Sequence, residues 1–346
     1  MHSPYATPPT GRDRPRAAVA MKPDAATALL DARSLAALGE VCALAPPPVL
    51  DDFTTDRARA TLADVEILVT GWGCPPLDEA ALAAAPQLRA VVHTAGSVRG
   101  HITEACWDRG IEVSSAAAAN ALPVAEYTVA MILLSGKRTL ERARDYRTAR
   151  RRDNWLATAT ELGNYGRTVG ILSASMIGRR VIELLRPYDL PVLLHDPYVF
   201  EAEAAALGVR SVGLGELFTH SDVVSVHTPL LPATHGLVSR ELLTSMRTDA
   251  VLINTARGAV IDQDALVDML RQDRIRAILD VTVPDSLPPA HPLWECDNVT
   301  ITPHLAGSQG NEWRRLVDLA VGEAGRWAAG DGFAHPVRRE RLAFLA

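Results

Sequence analysis

Three polar side chains stand where the sequence runs out of buried strand and could do chemistry together. Arg257 follows Ile253-Asn254-Thr255-Ala256, Asp285 follows Leu279-Asp280-Val281 by a short turn, and His304 follows Ile301-Thr302-Pro303. A guanidinium offers a planar fork of donors that clamps a carboxylate in two places. A carboxylate beside an imidazole stabilises its charged form, and a charged imidazole is a general acid with a proton to give. An isolated histidine after a strand is more often structural. Three strand ends carrying an anion binder, a proton donor and its partner point instead to one reaction on a small carboxylic acid.

A second set of residues addresses a nucleotide. The apolar run Thr168–Leu172 leads into Ser173-Ala174-Ser175-Met176-Ile177-Gly178 and a helical pattern. A dinucleotide loop of the G-x-G-x-x-G kind uses glycine for a tight turn, for close approach to pyrophosphate and for helix packing. Only the third glycine, Gly178, is present, with serine at the other two places. Asp196 closes the next strand eighteen residues after Gly178, near the spacing at which a carboxylate takes a ribose 2′-OH. That carboxylate would repel a 2′-phosphate, so NAD is expected over NADP. A plain strand–turn–helix without a ligand is the alternative for this loop.

Positioning such groups needs parallel α/β layering. In the first part of the chain the runs Ala17–Met21, Glu66–Thr70, Arg89–His93 and Gly110–Val113 read as buried strands, with helical stretches such as Leu77–Ala85 between them. From Thr168 six more follow: Thr168–Leu172, Val192–Asp196, Val223–His227, Ala250–Thr255, Arg276–Val281 and Val299–Thr302. This rhythm predicts an α/β protein of two doubly wound parallel-sheet domains, a Rossmann-type cofactor domain and a flavodoxin-like substrate domain with a cleft between, with ligands at the strands' carboxyl ends. Apolar spacing predicts a helix over Val124–Lys137, started by Pro123. The arginine-dense stretch Thr139–Asn154 predicts a solvated helix or loop, and Asn311–Ala329 a long helix returning to the first domain. The expected boundaries are a flexible tail over 1–16, a substrate domain over 17–120 plus 309–346, and a cofactor domain over 121–308.

Composition narrows the class. The 346 residues are 48% hydrophobic and 22% charged with a net charge of −6, a globular profile that disfavours a nucleic-acid partner. The four cysteines form no C-x-x-C pair and no histidine cluster has metal spacing, so no metal is expected and a reducing, cytoplasmic setting is. No secretory h-region begins the chain, and no apolar run is judged to approach a membrane span. Trp72, Trp313 and Tyr127 are expected to pack in the core rather than line a pocket, His93, His195 and His227 to be backbone-positioned or core residues, and the 72–76 loop and C-terminal helix to set substrate choice.

At Asn254-Thr255-Ala256-Arg257-Gly258, the Asp280–Pro284 stretch with its Pro288-Pro289 and Pro292-Leu293-Trp294 sequel, and Thr302-Pro303-His304, the chain resembles the D-2-hydroxyacid dehydrogenase family. His195-Asp196-Pro197-Tyr198, His227-Thr228-Pro229-Leu230 and Asn120 with Val124-Ala125-Glu126 also match. The resemblance spans about Val65 to Val337 and implies hydride exchange between NAD(H) and a small 2-keto or D-2-hydroxy acid by a homodimer. It implies that Arg257 holds the substrate carboxylate and polarises the keto oxygen, that His304 is the general acid and base, and that Gly96, Ser97 and Val98 offer backbone amides to the carboxylate. It places Ser175, Met176, Ile177, Gly178, Asp196, Thr228, Pro229, Thr255, Ala256, Arg257, Asp280 and His304 around the cofactor, with Asp280 at the nicotinamide carboxamide. The family has glutamate five residues after the Asp280 position, where this chain has the shorter Asp285, so a strained or water-bridged contact with His304 is expected. A nucleotide-binding regulator with a degraded glycine loop is the competing expectation; a formate or phosphite donor is a third.

Overall fold

The computed structural model describes residues 14–46, 49–151 and 162–344. Most of the expected N-terminal tail and the end of the arginine-dense stretch therefore lie outside the described residues. Among the described residues there are thirteen strands: β1 (Arg16–Ala20), β2 (Ala43–Leu44), β3 (Ile67–Thr70), β4 (Ala90–His93), β5 (Glu112–Ser115), β6 (Val169–Leu172), β7 (Val192–His195), β8 (Arg210–Ser211), β9 (Val223–Val226), β10 (Val251–Asn254), β11 (Arg276–Leu279), β12 (Val299–Ile301) and β13 (Pro336–Val337).

The chain divides into two compact units, residues 1–120 with 308–346 and residues 121–307. The first unit's sheet has the order β2-β1-β3-β4-β5-β13. It is parallel except for β13, which pairs antiparallel with β5. The second unit's sheet, β8-β7-β6-β9-β10-β11-β12, is parallel throughout. Each reverses its strand order once, between β1 and β3 and between β6 and β9, and a ligand crevice forms outside the carboxyl ends at such a point.

The central strands β3, β4, β6, β9 and β10 are buried on both faces, which is why they read as continuous apolar runs. In β3 and β4, Ile67, Val69, Ala90 and Val92 pack into one apolar cluster while Leu68 and Val91 pack into another, the alternation a pleated strand imposes. Helix Trp313–Ala329 contributes Leu316, Val317, Ala320, Val321 and Ala324 to the first cluster. In the second unit Val169 and Ile171 of β6 face one side and Leu172 the other.

Several expectations are corrected. The helix expected at Val124 begins at Ala117 and runs to Gly136, with Pro123 inside it; the proline ring removes one intrahelical bond rather than starting the helix. At twenty residues this helix is apolar and long enough to cross a bilayer by composition alone, contrary to the expectation that no run approaches that length. Its Ala125, Val129 and Ile132 pack against β6 and the neighbouring helices. Strands β2, β8 and β13 have no counterpart in the sequence pattern. Each is two residues long, too short for a period-two signal. The arginine-dense stretch is helical over Thr139–Ala149 with no buried residue, and its Glu141 pairs with Arg276 of β11.

Candidate active site

The exits of β10, β11 and β12 are neighbours because those strands are paired in register. After β10, the buried Asn254 folds back on its own turn: its Nδ2 donates to the Arg257 carbonyl at 2.9 Å and its Oδ1 accepts the Ala256 N–H at 3.0 Å. The backbone carrying Arg257 is thereby fixed, and the Arg257 Nη1 donates to the Ala256 carbonyl at 2.7 Å. Gly258 lies so close to the next exit that an added Cβ would sit 2.4 Å from the Thr282 backbone, so only glycine lets the two turns touch.

After β11 comes Asp280, which is 2% exposed. Its Oδ1 accepts from the Thr302 hydroxyl at 2.6 Å and the Leu305 N–H at 2.8 Å, and its Oδ2 from the Ala306 N–H at 2.9 Å. The Asp280 carbonyl also accepts the His304 N–H at 3.1 Å. Asp280 thus holds the loop that presents His304. The sequence places Asp280 near the site but gives no sign of this role, since its partners lie more than twenty residues away. His304 itself adopts φ +53°, a left-handed conformation that a β-carbon disfavours, and the Asp280 bonds are what over-determine it.

His304 and Asp285 are brought together directly: the His304 Nδ1 and the Asp285 Oδ2 are 3.2 Å apart. The contact is direct rather than water-bridged, although His304 reaches it from a left-handed backbone. The Thr282 hydroxyl donates to the carbonyls of Pro284 at 2.7 Å and Asp285 at 3.3 Å; this fixes the turn so that the shorter side chain reaches. The pair is half-exposed, at 51% and 67% for the two side chains, so its worth lies in orienting the ring more than in stability. Tyr127, expected in the core, donates to the Thr302 hydroxyl at 2.9 Å, whose own proton goes to Asp280, and burial raises its phenol above the usual range. Thr128 reaches the Thr255 hydroxyl at 3.1 Å. One helix thus braces two of the three strand exits, which is not legible from an aromatic residue in an apolar run.

The nucleotide loop follows β6 at the strand-order reversal. Ser173 sits at φ +80°, so the position keeps a backbone suited to glycine although it carries a Cβ. An added Cβ at Gly178 would lie 2.1 Å from the Ser173 carbonyl oxygen, which is why the third glycine is retained. Ser175 caps helix Met176–Leu185, its hydroxyl accepting the Gly178 N–H. The Met176 and Ile177 N–H groups donate to no group among the described residues, leaving the donor pair that a helix N-terminus offers to a phosphate. Asp196 lies just beyond β7 and faces this loop. Its Oδ2 accepts from the Ser173 hydroxyl at 3.2 Å and the Ala174 N–H at 2.8 Å, and its Oδ1 from the Tyr198 N–H at 2.9 Å. The residues present fit a dinucleotide, with the two serine side chains as extra bulk. Thr228 donates to the Leu172 carbonyl at 3.4 Å and the Pro229 carbonyl accepts from Thr234 at 2.6 Å; Ala256 is buried.

In the first unit, the Gly96, Ser97 and Val98 N–H groups follow β4 and donate to no group among the described residues, an arrangement suited to an anion. His93 and His227 are buried, and His195, half-buried, is positioned by the backbone, its Nδ1 2.9 Å from the Val212 carbonyl oxygen. Burial holds His93 down to about 3, His101 to about 4 and His227 to about 3, from an ordinary 6.5. The folded protein binds fewer protons there than the unfolded chain, so the stability is present above pH 6.5 and is lost as pH falls from 6.5 towards 3 to 4. At pH 5, one such group disfavours the fold by about 2 kcal/mol. Melting temperature should therefore drop steeply between pH 6.5 and 5, and a His227→Asn variant should show a shallower slope; equal slopes would count against a neutral buried His227.

The second unit thus combines a Rossmann-type parallel sheet, a helix N-terminus with two N–H donors suited to a phosphate, and a histidine–carboxylate pair at its carboxyl edge. The model of the D-isomer specific 2-hydroxyacid dehydrogenase NAD-binding domain matches residues 129–306. A glyoxylate reductase of Aeropyrum pernix is 32% identical over 302 residues, 85% of this chain and 88% of that protein. The D-3-phosphoglycerate dehydrogenase of Mycobacterium leprae is 32% identical over 234 residues, 67% of this chain but only 43% of that protein. The chain thus spans less than half the length of that relative. The crystal structure of the TT0316 protein from Thermus thermophilus superposes with a TM-score of 0.74 at 29% identity, covering 93% of this chain and all of that one. The chain belongs to the D-isomer specific 2-hydroxyacid dehydrogenase family.

Proposed function

We propose that the protein reduces a small 2-keto acid to the D-2-hydroxy acid with NADH, and runs the reverse oxidation, acting as a homodimer in the cytoplasm. The direct Asp285–His304 pair, on a loop locked by Asp280, carries this reading. NAD(H), when bound, supplies or accepts the hydride at the substrate C2. Because Nδ1 of His304 faces Asp285, Nε2 is the ring atom that gives its proton to the keto oxygen as the C2–H bond forms, and takes it back in oxidation. Asp285 sets the ring's orientation through that contact. Arg257 binds the carboxylate and draws electron density towards the keto oxygen, and the amides of Gly96, Ser97 and Val98 give that carboxylate further donors. Ser175, Met176, Ile177 and Gly178 hold the pyrophosphate, and Asp196 takes the ribose hydroxyl, which favours NAD over NADP. Thr228, Pro229, Thr255, Ala256 and Asp280 complete the cofactor's surroundings.

Initial rates with a panel of 2-keto acids, each with NADH and with NADPH, test this. Turnover with NADH well above that with NADPH is expected; a preference for NADPH would sink the role given to Asp196. Replacing Ser173 and Ser175 together by glycine should relieve the strained φ at 173 and remove bulk beside the phosphate, while a glycine cap costs only a few tenths of a kcal/mol. NADH should bind about threefold more tightly in a fluorescence titration. Weaker binding would show that the serine hydroxyls hold the cofactor or its Asp196 partner.

A further inference from the structure

Trp72 is 41% exposed on a loop that is otherwise fixed. The Trp72 carbonyl accepts the Lys22 N–H at 2.9 Å, the Gly71 N–H donates to the Ala20 carbonyl at 3.1 Å, and the Cys74 N–H to the Gly71 carbonyl at 3.2 Å. The loop thus presents a large apolar ring, held by its backbone, to the solvent. The ring lies edge-on to Trp313, with centroids 6.3 Å apart and planes at 69°. Trp72, expected in the core from sequence, stands exposed after β3, while Trp313, at the start of its helix, is partly buried and packs against the core of the first unit.

A closed circuit of contacts joins them to the amides after β4. The Trp313 Nε1 donates to the Ser308 carbonyl at 2.9 Å, the Ser308 N–H donates to the Asn120 Oδ1 at 3.0 Å, and the Asn120 Nδ2 lies 3.7 Å from where a Gly96 Cβ would be. Returning the other way, a Cβ on Gly71 would meet the Thr94 Oγ1 at 3.0 Å, two residues before Gly96. One end of this circuit is polar: the unengaged amides of Gly96 to Val98, the Asn120 amide, and the Ser308 hydroxyl, which is buried without a partner among the described residues. A buried hydroxyl left so is a deficit that a bound oxygen would satisfy. The opposite end is two indole rings. The contacts that close the circuit involve no lysine or arginine side chain; the Lys22 side chain packs beside Gly73, and what the two rings themselves offer a substituent is apolar surface.

We infer that Trp72 and Trp313 form the wall that receives the C3 substituent of the 2-keto acid, and that they select an uncharged apolar or aromatic substituent over a phosphorylated one or none. This rests on the proposed 2-keto acid reductase activity. The carboxylate lies at the amide end and the substituent runs along the indoles, where ring-on-ring contact and displaced water favour it.

The test compares kcat/KM for phenylpyruvate, glyoxylate and 3-phosphohydroxypyruvate with NADH in the wild type, Trp72→Ala and Trp72→Phe. The wild type should prefer phenylpyruvate to either of the others. Trp72→Ala should lose about 30-fold on phenylpyruvate and less than about threefold on glyoxylate, the scale of a hydrophobic specificity contact, and Trp72→Phe should recover most of that loss. An equal loss on all three acids, or a wild type that prefers the phosphorylated acid, overturns the wall while leaving the reductase standing. Absence of turnover with every 2-keto acid overturns the reductase and the wall together.

Discussion

His304→Ala should lower kcat for NADH-dependent 2-keto acid reduction by about 10³-fold, within the range attributed to a positioned general acid, and leave NADH affinity nearly unchanged. The second half of this expectation is the more telling. The His304 side chain is half-exposed and pairs with Asp285, so truncating it removes a proton donor without opening the core. Asp285→Asn, which keeps the shape but not the charge, should cost less than the alanine change at 304, since the ring keeps its loop. Parallel steady-state rates and NADH fluorescence titrations decide it: a variant at residue 304 that turns over like the wild type removes the histidine from the chemistry, and one that also fails to bind NADH assigns it a structural role.

Asp280→Ala should have the largest effect on stability, about 3 kcal/mol or more. The carboxylate is buried and accepts three bonds, and truncation leaves the Leu305 and Ala306 N–H groups without their acceptor in a dry site, each costing about 1–3 kcal/mol. Activity should fall as well, because the loop that presents His304 at φ +53° loses the bonds that hold it there. Asp280→Asn, with one accepting oxygen, should lie between. Urea unfolding followed at the second unit, together with kcat, reads both effects; an Asp280→Ala protein as stable as the wild type would show that the loop's geometry is held by other groups.

What the sequence discloses follows from how each signal is written. Buried parallel strands are apolar on both faces, so β3, β4, β6, β9 and β10 announce themselves, and the polar residues that follow them stand out by contrast. Two-residue edge strands such as Arg210–Ser211 have no interior face to fill and leave no pattern. Pro123 misleads because a proline before an apolar stretch is the ordinary sign of a helix start, whereas here it sits in the seventh position of one. Arg257, Asp285 and His304 are legible as types at strand ends; the Asp280 network is not, since a hydrogen-bond partner twenty residues away is a property of the fold. Asp285 shows the limit in the other direction: side-chain length suggests a failed contact, and the backbone turn pinned by Thr282 closes the gap. Exposure of Trp72 is equally invisible, because an indole after an apolar run is as consistent with a core as with a binding wall.

The most direct measurement is the stoichiometry of a single reaction: purified protein, NADH and a 2-keto acid, with nicotinamide absorbance followed and the product resolved on a chiral column. One D-2-hydroxy acid formed for each NADH consumed, at a rate that collapses in His304→Ala, is the predicted result. Tight binding of NADH with no consumption on any 2-keto acid, or an L-configured product, would contradict the account.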